Sequence, residues 1–307
     1  MPLSPVDPTF LGQPFRENPA EQQDSVVVLG VPVVTPYGPE FESHAAGGPA
    51  GMRAAMAPRG GLEAQYDFDL GAPVTGPGAA PIVDIGDLVL PPQGGAENRE
   101  TIRALIYDLR NRGCRPLVLG GDDSLQIPVI DGLAADDPLT VVQVDAHIDW
   151  RDERFGERFG YSSPMRRASE MPHVASMVQV GIRGTGSARQ QEVDDAVAWG
   201  AELVTMRDIR KGGIDTAIRR IPEGRPCVLA IDCDGLDTSV IPGVAARAPG
   251  GLGFGDVVDL MHGAAERGQL VGCSIVELWP ERDPSGISAR AAGRLAAIAA
   301  GLMARRS

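Results

Sequence analysis

Short runs of apolar, often β-branched residues recur along the chain, separated by longer stretches whose apolar positions fall at helical spacing. The runs predict strands at 25–31, 82–85, 116–119, 140–144, 177–182, 202–206, 227–231 and 271–276. Helical spacing appears at 97–112, where Gly113 supplies a stop, and at 191–199, 215–220, 256–267 and 287–305. Strand–helix alternation implies an α/β fold, with a mainly parallel sheet covered on both faces. Two stretches, 32–61 and 151–172, carry little regular pattern. Long irregular loops in compact domains are often functional, and the second is expected to form part of a pocket wall. No linker, repeat or low-complexity block divides the chain. The expected organisation is one α/β domain over 25–307, preceded by an irregular, Pro-rich segment over 1–24.

The polar residues at the strand ends change the picture. The strand at 140–144 runs into Asp145-Ala146-His147-Ile148-Asp149, and that at 227–231 into Asp232-Cys233-Asp234. Alternate side chains of an extended chain share a face, so Asp145, His147 and Asp149 can converge, as can Asp232 and Asp234. A third strand, 116–119, runs into Gly120-Gly121-Asp122-Asp123-Ser124, whose glycines allow a tight turn. Crowding this much negative charge at the buried end of a sheet is costly unless a cation neutralises it. Singly, each cluster also reads as turn and capping chemistry. Together, at strand ends where open α/β sheets build their sites, they point to a divalent metal site holding two ions.

Composition narrows the ligand class. The formal net charge of −13 argues against a nucleic-acid surface and suits a small cationic substrate. The 43% of apolar residues is ample for a core. Cys114, Cys227, Cys233 and Cys273 lack paired spacing and read as reduced core residues of a cytoplasmic protein. Cys233, between two proposed ligands, should face away from them. The N-terminus lacks the basic start and apolar core of a signal peptide. No stretch reads as long and apolar enough to span a membrane, and the Ala-rich segment 292–303 reads as a packed terminal helix.

The spaced motifs Gly120–Ser124, Asp145–Asp149 and Asp232-Cys233-Asp234-Gly235-Leu236-Asp237, the last followed by Pro242-Gly243, resemble those of the ureohydrolase family of arginases, agmatinases and related guanidino-acid hydrolases. Asp84-Ile85-Gly86-Asp87 and Val276-Glu277-Leu278-Trp279-Pro280 agree more weakly. The resemblance runs from about 25 to 302, and Pro164-Met165-Arg166-Arg167-Ala168 brings it nearer the agmatinase-like branch. It implies a three-layer α/β sandwich with an eight-stranded parallel sheet and a pair of Mn²⁺ ions, with Ni²⁺ or Zn²⁺ as alternatives. It also implies a metal-bridging hydroxide that attacks a guanidinium carbon and releases urea, and a homo-oligomer, trimeric or hexameric. Asp145, His147, Asp149, Asp232 and Asp234 would be metal ligands. Glu277 would face the guanidinium, and Asp122 would be a buried structural carboxylate.

Two departures bear on the chemistry. The family's glycine turn normally reads Gly-Gly-Asp-His-Ser, with its His a ligand; this chain has Asp123 there. Carboxylate oxygen is a good Mn²⁺ ligand, so Asp123 is expected to keep the pair of metals, with the extra charge raising the pKa of the bridging water. The family's proton-shuttling His-Gly pair before Pro164 is replaced by Tyr161 and Ser162. Tyr161 is then a candidate acid or a packed rim residue, and Asp149 a candidate proton relay. The chain has four histidines, at 44, 147, 173 and 262. Two rival readings stay open: an impaired ureohydrolase-like subunit that modulates an active partner, and a single-metal deacetylase-like amidohydrolase. At the substrate's far end, Arg151, Arg166 or Arg167 would receive a carboxylate, and Asp152 or Glu153 an amine.

Overall fold

Among the described residues, eight parallel strands form the centre of the molecule, and a ninth, antiparallel strand closes one edge. The computed structural model describes residues 3–38, 43–57, 64–186 and 188–305. The strands are β1 (Leu3–Ser4), β2 (Val26–Val31), the small hairpin β3 (Tyr66–Asp67) and β4 (Ala72–Pro73), β5 (Ile82–Leu88), β6 (Arg115–Gly120), β7 (Leu139–Val144), β8 (Val174–Ile182), β9 (Glu202–Thr205), β10 (Cys227–Asp232) and β11 (Leu270–Val276). The main sheet runs β1-β5-β2-β6-β11-β10-β7-β8-β9. The expected parallel strands are all present, and the sheet exceeds the expected eight by the edge strand β1, which comes from the segment read as irregular.

The helices are α1 (Gly48–Ala55), α2 (Gly95–Asn111), α3 (Gln126–Gly132), α4 (Pro164–Ala168), α5 (Gln190–Trp199), α6 (Met206–Gly212), α7 (Asp215–Ile218), α8 (Phe254–Arg267) and α9 (Ile287–Ala304). They lie in two layers because the central strands are apolar on both faces. Val26, Val28, Leu117 and Leu119 pack with Met52 of α1 and with α8 and α9. Their neighbours Val27, Leu29 and Val118 pack on the other face with Ile102 and Ile106 of α2 and Val129 of α3. Fully buried positions such as Ile102 and Ile106 are sites where truncation to Ala costs ~2–5 kcal/mol.

Two irregular stretches prove partly helical. The first carries α1 and the second α4, both too short for a helical period to stand out. Each has Pro in its first turn, where the missing N–H costs nothing. Helix α9 corrects another reading: by length and composition it is apolar enough to cross a membrane. It is instead mostly buried, packed on α1, α8 and β11 as a core helix.

The N-terminal segment is docked by one buried polar network. Phe10 is fully buried, and its N–H donates to Asp84 Oδ2 at 2.8 Å. Arg53 of α1 grips the same carboxylate through Nε at 2.8 Å and Nη2 at 3.0 Å, and reaches Asp87 at 2.5 Å. The weakly matching Asp84–Asp87 motif therefore ties α1, and with it the loop that precedes it, to the sheet.

Candidate metal centre

The four strands β6, β11, β10 and β7 are neighbours in the middle of the sheet, although β6 and β7 are far from β10 and β11 in sequence. Register sets Asp232 beside Val276, and Ile231 beside Val144, so the residues following these strands emerge together at one sheet edge.

The chain does not stay extended there. Strand β7 stops at Val144, and Asp149 adopts a left-handed conformation with φ of 46°. The convergence of Asp145, His147 and Asp149 is therefore made by a turn rather than by continuing the strand, which corrects the sequence-based reason for it. Asp145 Oδ1 accepts the His147 backbone N–H at 2.6 Å, and Asp234 Oδ1 accepts that of Ala146 at 3.2 Å. Asp232 ends β10 and accepts the Asp234 N–H at 2.7 Å, opening a one-turn helix over Cys233–Gly235. Cys233 points into the apolar core, away from the cluster. A Cβ on Gly235 would lie 2.6 Å from the Asp145 nitrogen, so glycine lets the two acidic loops touch.

The third loop needs a glycine for the same reason, since a Cβ on Gly121 would sit 2.2 Å from the Pro32 carbonyl oxygen. Asp122 accepts from the Ser124 N–H and hydroxyl at 3.2 and 2.5 Å, the turn-holding role expected of it. Asp123 turns inward. Glu277 follows β11 with φ of 63°, a strained conformation that recurs at functional sites. Its N–H donates to Gly121 O at 2.8 Å, and its Oε1 accepts the Asp123 N–H at 2.9 Å.

The side chains form two overlapping groups. One ligating atom from each of Asp145, His147 and Asp234 lies within 4.8 Å of the others, as does one from each of Asp123, Asp145 and Asp149. Asp232 lines the same cavity of about 310 Å³, together with Asp123, His147, Asp149, Asp234 and Glu277. Thus all six sequence-predicted ligands and Glu277 come to one place, and Tyr161 is on the cavity wall.

Electrostatics is hostile to this arrangement without a cation. Burial, then repulsion from neighbouring carboxylates, pushes Asp123, Asp145 and Asp232 well above the usual range. Burial also raises Asp149 and Glu277, against partners that pull them down. Burial alone would lower His147, but the hydrogen bond and charge of Asp234, with help from Asp149 and Glu277, raise it to about 9. Its Nδ1 lies 3.2 Å from both Asp145 and Asp234. Neither carboxylate oxygen of Asp123 accepts a hydrogen bond among the described residues, and both are buried. Buried polar atoms are rarely left this way. An oxygen-rich, imidazole-containing set with an unsatisfied carboxylate fits hard divalent cations.

Three supporting groups escaped the sequence reading. Gln143 of β7 donates to Asp145 and Asp149, each at 2.8 Å. Arg183 donates to the carbonyl oxygens of Asp234, Gly235 and Leu236 at 2.7–3.1 Å, bracing the loop that carries Asp234. His44, given no role, has its Nε2 2.5 Å from Glu277 Oε2. The available signals were a Gln inside an apolar strand and one of few histidines in an irregular loop. At the far end of the cavity the structure sorts the candidates. Arg166 is occupied by Asp195 at 3.2 Å, and Arg167 by Asp152 at 2.7 Å. Only Arg151 among the five lines the cavity.

Comparison with known proteins agrees with this geometry. The family model described as "Arginase family" matches residues 24–301. The chain is 30% identical over 290 residues to proclavaminate amidinohydrolase of Streptomyces clavuligerus, covering 92% of this chain and 88% of that protein. It is 29% identical to an agmatinase of Pyrococcus horikoshii, over 87% of this chain and 88% of that one. The match to mitochondrial arginase 1 of Arabidopsis thaliana is 34% identical but spans about half (53%) of that protein's length and 59% of this chain. In structure, the Streptomyces clavuligerus proclavaminate amidinohydrolase superposes with a TM-score of 0.84 at 28% identity, covering 99% of both chains.

Proposed function

Because the chain belongs to the arginase family, we propose that it is a metal-dependent hydrolase that cleaves a guanidino compound to urea and an amine. The observation that carries this reading is the buried, unsatisfied Asp123 carboxylate within a cluster of acidic groups beside the anchored Glu277. Asp145, His147 and Asp234 would hold one ion and Asp123, Asp145 and Asp149 another, with Asp232 completing the set. Two overlapping groups favour two ions over one, and Mn²⁺ is the ion we expect. Such ions supply hydroxide at neutral pH by lowering the pKa of water.

The protein's own groups do the rest. Glu277 accepts hydrogen bonds from the guanidinium edge and fixes the carbon for attack. Its held backbone and its contact with the Asp123 N–H keep it rigid while it does so. Asp149, which lines the same cavity, would accept the proton shed by the attacking oxygen. The C–N bond to the substrate chain breaks, and the departing nitrogen takes a proton to leave as an amine. Tyr161 holds its phenolic proton firmly, because burial and the nearby Glu277 and Asp122 raise its pKa against the pull of Arg154. We assign it to binding at the cavity wall.

For the far end of the substrate we propose a carboxylate received by Arg151. Arg151 lines the cavity, with its guanidinium 3.2 Å from Gly186 O and 3.6 Å from Glu192. A guanidino acid then fits better than agmatine, with its cationic end at the acidic floor. The test is urea release from a panel of agmatine, arginine and 4-guanidinobutyrate with the Mn²⁺-loaded protein. Activity on the guanidino acid, reduced about a hundredfold or more in Glu277→Gln with metal content unchanged, is the expected result. No urea from any member, or a Glu277→Gln protein as fast as the parent, sinks the assignment.

A further inference from the structure

We propose that His44 is the proton donor of this site, delivering a proton to the departing amine from beside Glu277. The inference rests on the guanidino-hydrolase reading above and adds to it a residue from a different segment of the chain.

The geometry is specific. His44 stands just before α1, on a loop fixed to the sheet through Arg53 and its carboxylate partners. Its ring forms part of the cavity wall, and its side chain is 18% exposed. Nε2 meets Glu277 Oε2 at 2.5 Å, while Glu277 Oε1 takes the Asp123 N–H. Two aromatic rings fix the imidazole plane: Tyr161 stands edge-on at 5.9 Å between centroids, and Trp279 lies at 5.4 Å. The imidazole is therefore oriented by the carboxylate that is to hold the guanidinium.

The other imidazoles are spoken for. His147 lies in the metal cluster, His173 bonds the Ile130 carbonyl at 3.0 Å, and His262 bonds the Asp69 carbonyl at the exposed surface. Tyr161, in the loop where the resemblance would place a shuttling His, keeps its proton too tightly to cycle near neutral pH. Asp149 is assigned to take up the proton of the attacking oxygen, and among the described residues lining the cavity His44 is the remaining imidazole, able to carry a proton and release it to the departing amine.

The charges around His44 suit that cycle. Burial would push its pKa down, but the hydrogen bond and charge of Glu277, aided by Asp122, outweigh it, and Arg282 opposes them weakly. Tyr161, the other titratable neighbour, is neutral. Glu277 thus favours the imidazolium form of His44 before substrate arrives. A guanidinium docking on Glu277 neutralises that carboxylate and makes the His44 proton easier to give up. As the C–N bond breaks, its electron pair stays on the departing nitrogen, which takes the proton from His44 Nε2. The neutral imidazole regains a proton from the next water that enters to become hydroxide. Asp149 passes the proton it takes from the attacking oxygen to the same departing nitrogen, so that over one turnover a guanidinium and water give urea and an alkylammonium ion, with no net proton left on the protein.

The experiment compares the Mn²⁺-loaded parent, His44→Gln and His44→Ala on 4-guanidinobutyrate, reading kcat, KM, their pH dependence and rescue by imidazole. Gln keeps an N–H donor for Glu277 but cannot transfer a proton. The expected result is that kcat falls by about a hundredfold or more in both variants, with KM changing far less. The alkaline limb of the parent's kcat profile should be lost in both, and added imidazole should restore part of the rate to His44→Ala. In the metal-free protein, histidine NMR should show one imidazole, absent from His44→Gln, titrating above 6.5 and shifting down in Glu277→Gln. A His44→Gln protein with the parent's kcat would make His44 a positioning residue for Glu277 and overturn the proposal, leaving the functional reading intact. A parent that releases no urea would overturn both.

Discussion

Gln179 donates its side-chain amide to Gln143 across the paired strands β8 and β7, at 2.5 Å. The same amide group also bonds the Ile148 carbonyl at 2.8 Å. With its oxygen engaged, Gln143 must turn its NH₂ toward the site, where it reaches Asp145 and Asp149 together. The pair thus orients two acidic side chains from beneath, inside the core, and pins the left-handed turn at Asp149 from both sides.

Gln143→Leu should therefore weaken divalent metal binding by about 10–100-fold, the usual effect of losing a group that orients a ligand. The far-ultraviolet circular dichroism should be unchanged. Gln179→Leu should give a smaller loss, because Gln143 can still reach the carboxylates. Isothermal titration with Mn²⁺ measures both, and parent affinity in Gln143→Leu would show that the network is packing alone.

Asp123 makes opposite demands on the metal-free and metal-loaded protein. Its buried carboxylate has no donor among the described residues, so Asp123→Ala should stabilise the metal-free protein by about 1–3 kcal/mol. The same change should cost the loaded protein one of its two metals and its activity. Asp123→His should retain both metals and shift the active range toward lower pH, since one negative charge is gone. Denaturant unfolding and metal analysis check these outcomes. Full metal content and activity in Asp123→Ala would reduce the residue to a turn former.

The pH dependence follows from the direction of the shifts. His147 is raised from 6.5 to about 9, so the stability it contributes is full below 6.5 and lost as pH rises through about 9. Raised Asp123, Asp145 and Asp232 act with the same sign: they favour the fold while protonated and oppose it once charged. Metal ions need the deprotonated groups. The metal-free protein should lose Tm between about pH 6 and about pH 9, while the gain in Tm on adding Mn²⁺ should grow over the same range. Thermal scans with and without metal test this. A gain that shrinks with rising pH would contradict the assignment of these groups as ligands.

Arg151 provides a test of substrate class. If it receives a carboxylate, Arg151→Leu should raise KM for a guanidino acid by about 10–100-fold, the loss of one charge-assisted contact. Agmatine turnover should be unchanged or improved, because the variant removes a like charge facing its amine. Equal losses on both substrates would show that Arg151 shapes the cavity rather than reads the far end.

The order of the central elements could be read from the chain because its physics is local. Apolar runs such as 227–231 are long enough to be strands and too short for independent helices, and α2 and α8 repeat the helical period several times. The acidic clusters were legible for the same reason: Asp145-Ala146-His147-Ile148-Asp149 lies in five consecutive residues, and its cost without a cation follows from charge alone. Helices α1 and α4 were not legible, since one or two turns give the period no room to repeat. What the sequence could not decide was adjacency. Strand order placed the ends of β6, β7, β10 and β11 side by side, and so gave Asp123 and Glu277, 154 positions apart, a hydrogen bond. It also decided that His44, 233 residues before Glu277, would stand against it, while Arg166 and Arg167 would be spent on neighbouring carboxylates. Such contacts depend on how the crossovers thread and which faces are buried, and no local property of His44 or Glu277 encodes that.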